Sequence, residues 1–336
     1  MVPSENTSLT LFNRIKAGFI RIMSVSEMAI IIPVVLLFIV SAILSPFFLT
    51  KLNLLSLVTN VSNMGIIAVV YTLLLVVKGL DLSVGALVGF SGVILGYTST
   101  IMHLPVSLAL VITVCIGLGV GIINGFLSVK VGIPAIIVTL GMQFILRGAA
   151  FVFVGAAYIM SNIPKGLVKF GNFKIGSITI ELLLFVIFTI IVDFILRNTV
   201  LGRRIKLSGS NTSVARLHGV NYQNISIMAY VVTSLAATLV GILFTSKIGS
   251  SMPLAGYQWE IQIIAGCVIG GGSIYGGRGS AVGTLFGIIF MAMLLNTMIL
   301  LNINSNWQFF GIGMFLILAV VLNNSRINLI NRSIKV

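Results

Sequence analysis

From Met28 to Asn323 the sequence is built of apolar runs. Most approach the roughly 20 residues that an α-helix needs to cross a hydrocarbon core about 30 Å thick. Ten runs lie at 28–48, 61–78, 82–99, 106–127, 134–155, 179–196, 225–246, 260–273, 281–300 and 307–323. Inside lipid each backbone N–H and C=O needs a partner from the chain itself, so such a sequence folds as an all-α polytopic membrane protein of about ten helices. Composition agrees: 58% of the residues are hydrophobic and 8% charged, where a soluble domain carries roughly a quarter charged residues. A soluble fold is excluded. The net charge of +14 would suit nucleic acid, but the bases punctuate the ends of apolar runs instead of clustering on one wet face, so no nucleic-acid partner is expected. Cys115 and Cys267 lie inside apolar runs without CxxC or Cys/His spacing, and read as packing residues with neither disulfide nor metal site.

One polar interruption is longer than a turn. Residues 197–224 carry five bases (Arg197, Arg203, Arg204, Lys206, Arg216) and no acid, the pattern of a loop on the cytoplasmic side of a membrane. Ten crossings put both termini on one side. Placing them in the cytoplasm gives that side 14 of the 20 bases, leaves five outside (Lys51, Lys165, Lys169, Lys174, Lys247) and puts Arg147 within the membrane. The first run follows Arg14, Lys16 and Arg21 but is longer than a signal-peptide core and has no convincing cleavage box, so it is read as a retained helix. The expected organisation is a cytoplasmic tail at 1–27, a membrane domain at 28–323 with its basic loop at 197–224, and a cytoplasmic tail at 324–336.

Two crossings are irregular. Gly79-Leu80-Asp81-Leu82-Ser83-Val84-Gly85 and the stretch Gly270 to Gly279 set glycines and polar residues between apolar runs, and helices are expected to break at both. The apolar part from Ile261 to Ile269 is too short to span alone, so that crossing is tilted or discontinuous. Broken backbone at membrane depth is tolerated where protein or a water-filled cavity satisfies it. Each Gly-rich turn follows a Val-rich run and precedes a helix with GxxxG spacing, a weak hint of internal duplication. The pairs Gly85/Gly89, Gly92/Gly96, Gly117/Gly121/Gly125 and Gly283/Gly287 let helix backbones approach closely, and helix packing explains them without recourse to substrate.

No catalytic constellation is visible. His103 and His218 fall in separate loops, and the sequence has no GxSxG, HExxH or paired-carboxylate spacing, so an enzyme is not expected. The run Gly272 to Gly279 imitates a phosphate loop, but Arg278 stands where Lys is needed and Gly279 where Ser or Thr must reach magnesium. Energy therefore comes from an ion gradient or from a separate ATPase. Ion coupling would call for ionisable groups near the midplane. Asp193 pairs with Arg197 at i, i+4; Asp81 either caps a helix start, with Lys78 as neutraliser, or lines a path; Glu181 and Glu260 fall near outer helix ends. Arg147, thirteen residues into its run, lies inside the bilayer, where a central Arg costs roughly 2.5–3.5 kcal/mol on insertion scales. It has to face protein or water, lining a pathway or pairing with backbone carbonyls.

The segment Gly79 to Gly85 matches a G-[IL]-D-L-S-V-G signature. Further blocks follow in order: Ser45 to Thr50 with Asn53, Pro134 to Leu140 with Arg147-Gly148, Leu201 to Arg204, Asn211, Ala215-Arg216-Leu217, Gly219-Val220-Asn221, Glu260, the Gly270 to Gly279 turn, Val282 to Leu285 and Trp307-Gln308. From about Ser45 to Asn323 the chain resembles the ribose-type, simple-sugar permeases of ATP-binding-cassette importers, and the Asp-Leu-Ser-Val-Gly block separates it from the branched-chain amino-acid branch. The resemblance implies a type II importer permease in the bacterial inner membrane. Its partners would be a second permease subunit, two cytoplasmic ATPase domains and a soluble solute-binding protein. This chain would bind no cofactor, with ATP and magnesium held by the ATPase. Gly202, Arg203, Arg204, Asn211, Ala215, Arg216, Leu217 and Gly219 would form coupling helices in an ATPase groove, Val214 and Leu217 giving apolar contacts and the arginines charge-assisted hydrogen bonds.

The same resemblance makes Asp81, Ser83, Gly85, Arg147, Glu260, Gly270 and Gly271 translocation-pathway candidates. The implied cargo is a monosaccharide, ribose-like pentose or hexose; an autoinducer-type furanosyl signal, nucleoside or polyol would use the same framework, and an ion-driven symporter or channel is the competing class. Thr212 and Ser213 stand where relatives usually show acids, and Gln262 where many show Asp, which bears on ATPase pairing and on substrate contact respectively. Lys165, Lys169 and Lys174 in the outer loop either dock acidic residues of the binding protein or are simply solvated.

Overall fold

The computed structural model describes residues 28–154, 161–315, 317, 318 and 321. The tails assigned to 1–27 and 324–336, with their six bases, lie outside the described residues. Helix α1 is Met28–Leu44, α2 Lys51–Val76, α3 Val84–Gly96, α4 Val106–Gly125 and α5 Ala135–Val154. A short helix α6 (Lys165–Gly171) and a two-stranded hairpin, β1 Lys174–Ile175 and β2 Ile178–Thr179, precede α7 (Ile180–Asn198). Two short helices, α8 (Val200–Ser210) and α9 (Thr212–Leu217), lead to α10 (Tyr222–Ile248), α11 (Trp259–Ile269), α12 (Ala281–Leu300) and a helix α13 over 305–315.

Among the described residues six helices are long and apolar enough to cross a membrane: α2, α3 with its extension to Ile101, α4 with its extension to Val131, α5, α10 and α12. The other four expected crossings are α1 at 17 residues, α7 with its three charges, α11 at 11 residues, and the partly described α13. The chain is an all-α polytopic membrane protein.

Helix α2 begins ten residues before the expected apolar run. Thr50 is its N-cap, the side chain accepting from the Asn53 amide, and the polar first turns (Asn53, Ser56, Thr59, Asn60) are helical without being oily. At 26 residues it extends about 39 Å, longer than the hydrocarbon core. Lys51, expected in an outer loop, is its first residue. From Val61 to Val76 every residue of α2 is buried, so this half is the axis about which the bundle packs. Both expected breaks occur, α2 stopping at Val76 before α3 starts at Val84, and α11 at Ile269 before α12 starts at Ala281.

Small residues set the interhelical distances. A Cβ on Gly121 of α4 would lie 2.7 Å from the Cα of Val231 on α10, and one on Gly125 would lie 3.1 Å from the Cα of Ile227. Gly283 and Gly287 of α12 press on the Gly270 and Gly266 carbonyls in the same way. These four glycines serve backbone-to-backbone packing, which lets dispersion act where lipid offers no hydrophobic drive, whereas Gly92 and Gly117 seat the hydroxyls of Thr245 and Thr238. The last turns of α3 and α4 widen into π-helical segments, Tyr97–Ile101 and Phe126–Val131.

Candidate functional site

The turn between α2 and α3 is a closed polar knot. Asp81 is completely buried. Its Oδ1 accepts from the Ser83 amide at 2.8 Å and the Ser83 hydroxyl at 2.6 Å, and its Oδ2 accepts from Asn124 Nδ2 of α4 at 3.3 Å. The Asp81 N–H donates to the Tyr71 hydroxyl at 2.9 Å, and Asn124 Nδ2 also donates to Ser83 Oγ at 2.9 Å. Asp81 thus behaves as a turn-forming carboxylate that takes the amide of Ser83, the residue before α3. Lys78 does not neutralise it: no ion pair among the described residues joins them, and Lys78 is exposed. From a backbone at φ 64° its side chain runs instead against Gly276, in the turn behind α11.

A second polar group lies where the chain returns from α10. Residues 249–258 are not helical and run along α3, Ser251 Oγ donating to the Gly92 carbonyl at 2.9 Å and Gly256 (φ 70°) seated on Gly85. Gly92 and Gly85 are two helical turns apart, so this stretch moves about 10 Å along α3 before α11 begins. That explains the short α11: this crossing is discontinuous, irregular backbone over one part and an 11-residue helix over the next.

Arg147 of α5 satisfies the irregular backbone, its Nη1 donating to the Pro253 carbonyl and, at 3.1 Å, to that of Ala255. Its guanidinium also stands 5.9 Å from the ring centroid of Tyr257. One turn earlier, Gln143 Nε2 donates to Glu260 Oε1 at 3.0 Å. Arg147 Nη2 and Glu260 Oε2 are buried and make no hydrogen bond among the described residues, and Glu260 Oε2 faces Gly85. Glycines at 85 and 89 leave room for the carboxylate, the loop and the guanidinium. Glu260 is the acid of this three-segment group, tied to α5 through Gln143; no ion pair among the described residues joins it to Arg147 directly.

The basic stretch forms two short helices with distinct frame and face. Thr199 caps α8 through the Gly202 amide at 3.0 Å, and Gly202 lets α8 approach the end of α7 against the Ile195 carbonyl. Asn211 Oδ1 caps α9, accepting from the Ser213 amide at 2.9 Å and the Val214 amide at 3.1 Å. Gly219, at φ 69°, ends α9 in the left-handed conformation that glycine adopts without strain. Ala215 is buried. These five build the frame, whereas Arg203, Arg204, Arg216, Val214 and Leu217 are exposed, Leu217 at 87%. Arg216 is held by Tyr222, donating to its hydroxyl at 3.0 Å and lying 5.0 Å from its ring centroid.

Residues 53–320 match the family model described as branched-chain amino acid transport system / permease component. The chain belongs to that permease family. Similar relatives include the ribose import permease protein RbsC of Escherichia coli K12, 32% identical over 313 residues, 92% of this chain and 96% of the relative. The fructose import permease protein FrcC of Rhizobium meliloti is 31% identical, covering 89% and 85%. The autoinducer 2 import system permease protein LsrC of Escherichia coli SMS-3-5 is 32% identical, covering 88% and 86%. No solved structure matches.

In this permease the pathway candidates fall into three places. Asp81 and Ser83 belong to the buried knot, Gly85 to the Arg147–Glu260 group, and Gly270 and Gly271 to the turn behind α11, where Gly270 touches the backbone of Gly283. Lys165, Lys169 and Lys174 are all exposed on α6 and the hairpin. Gly171 anchors that element against Ser246 and Lys247. Sequence reasoning missed Gln143, Asn124 and the 2.7 Å ion pair between Lys247 and the fully buried Glu181. Their partners are distant in sequence, and no local signal marks them.

Proposed function

We propose that this chain is the membrane-spanning subunit of an ATP-binding-cassette importer in the bacterial inner membrane. Both termini would be cytoplasmic, and the cargo would be a monosaccharide delivered by a soluble binding protein. The observation that carries the reading is the likeness over nearly the whole chain to permeases named for ribose and fructose, together with an exposed basic and apolar face on α8 and α9. Two ATPase domains would seat Arg203, Arg204, Val214 and Leu217 in their grooves and hold the ATP and magnesium, leaving this chain without a cofactor. A second permease subunit would complete the path.

Helix α5 supports the placing of that path. Its Gln143 and Arg147 are partly exposed and neighbour exposed Phe144, Ile145 and Gly148. A guanidinium roughly 18 Å from one end of the helix and 10 Å from the other is poorly tolerated by lipid. The α5 edge with Gln143 and Arg147, beside the exposed Tyr257, would therefore face the second subunit and a watered passage, where the amide would exchange hydrogen bonds with sugar hydroxyls, Glu260 lying buried behind it. Lys165, Lys169 and Lys174 would receive acidic residues of the binding protein. An autoinducer-type furanosyl cargo is the second reading, favoured by the similarity to LsrC.

The test is uptake of labelled ribose, fructose and autoinducer into vesicles holding the permease, its ATPase and its binding protein, driven by ATP or by a proton or sodium gradient. ATP-dependent uptake is expected. Uptake that follows the gradient and ignores ATP would sink the reading.

A further inference from the structure

Three chain segments meet backbone to backbone at the end of the bundle that carries the basic helices. The carbonyl of Val76, left free by the end of α2, accepts from the Gly277 amide at 2.8 Å. Gly209, one residue before the end of α8, lies on the same spot: a Cβ there would overlap the Val76 carbonyl oxygen and come within 2.8 Å of the Gly277 nitrogen. Gly276 fits against Lys78 and the Gly209 carbonyl, and a Cβ on Gly277 would stand 3.2 Å from the Cβ of Ser210. Gly279 packs on the side chains of Val76 and Thr72.

Each segment leads elsewhere. Val76 begins the turn that holds Asp81 and starts α3, Gly277 lies in the turn joining α11 to α12, and Gly209 ends the helix bearing Arg203 and Arg204.

We propose that Gly209 and Gly277 are positioning residues that join the ATPase-facing helices to both broken crossings as one rigid body, so that a displacement of α8 is delivered to α3 and α12 together. This rests on the importer reading above. Backbone contacts without intervening side chains leave no rotamer slack to absorb a push, and closely packed interiors move as blocks. Neither α8 nor the Gly-rich turn can shift without displacing the Val76 carbonyl.

Two variants of the reconstituted importer test this, each scored for ATP hydrolysis and uptake. Gly209→Ala inserts a methyl group between α8 and Val76. Sugar carried per ATP hydrolysed is expected to fall at least tenfold with basal hydrolysis within twofold, whereas Gly119→Ala on α4, which meets open space, leaves the ratio unchanged. Equal loss of both activities would overturn the coupling role.

Should Gly209→Ala fail to assemble, the pair Ser210→Cys/Gly277→Cys, built with Cys115→Ser and Cys267→Ser, decides alone. The Cβ separation is near disulfide range. Mild oxidation is expected to cross-link the pair while uptake stays above half of the reduced rate, because the joined parts move together. Absence of a cross-link, or uptake abolished by oxidation and restored by reductant, would overturn the rigid-body claim. A wild-type importer driven by a gradient instead of ATP would fail the importer reading itself, while the cross-link yield would still report on the contact.

Discussion

At the residue scale, the buried polar groups divide by whether their partners are complete. Asp81 receives three donors from Ser83 and Asn124, so removing its carboxylate strands several buried donors at about 1–3 kcal/mol each. Asp81→Ala is therefore expected to lower the thermal midpoint of the detergent-solubilised protein by several degrees. Asp81→Asn, which keeps one acceptor oxygen, should lose less than half as much, and equal losses would contradict the knot described here. The Lys247–Glu181 pair gives a second case. Glu181 is fully buried and its Oε2 is without a hydrogen bond among the described residues, so Lys247→Met isolates a buried charge and should cost at least about 2 kcal/mol. The double variant Lys247→Met/Glu181→Gln removes that charge and should recover most of the loss in the same melting assay.

At the scale of elements, the breaks were legible and their partners were not. Gly79 to Gly85 and Gly270 to Gly279 announce breaks because glycine weakens helices wherever it clusters, and both appear. The start of α2 was not legible, since a count of oily residues sees only the part that lipid or core must cover, and Lys51 to Asn60 is helical for reasons of capping. Nor was the irregular run 249–258, which keeps its depth because Arg147, about a hundred residues earlier, satisfies its carbonyls. The α4–α10 contact is tested by two substitutions on one helix. Gly121→Leu drives a side chain into the Val231 backbone and should destabilise by about 1–3 kcal/mol, as overpacking does, while Gly119→Leu meets open space and should be nearly silent.

At the scale of the whole molecule, charge separates one end from the other. The α8–α9 face carries Arg203, Arg204 and Arg216, and the opposite end carries Lys165 and Lys169 on a helix packed against α10 and Lys174 on an exposed hairpin. If the lysines receive an acidic protein, changing all three to Glu should reduce binding-protein-stimulated uptake at least tenfold and flatten its salt dependence, because attraction between exposed charges is screened within about 8–10 Å at physiological salt. Unchanged uptake and salt response would leave them as solvated charges. The general architecture was legible from run lengths and the order of motifs. The assembly of the Arg147–Glu260 group was not, because it joins α5, the irregular run and α11 through contacts that only the folded chain brings together.

The half-open rim of α5 also bears on how the protein is made. A newly inserted copy with no mate would present Gln143 and Arg147 to acyl chains, drawing water and headgroups inward around them. Such a copy should be short-lived in the cell, marked for clearance by the polar blemish that assembly conceals.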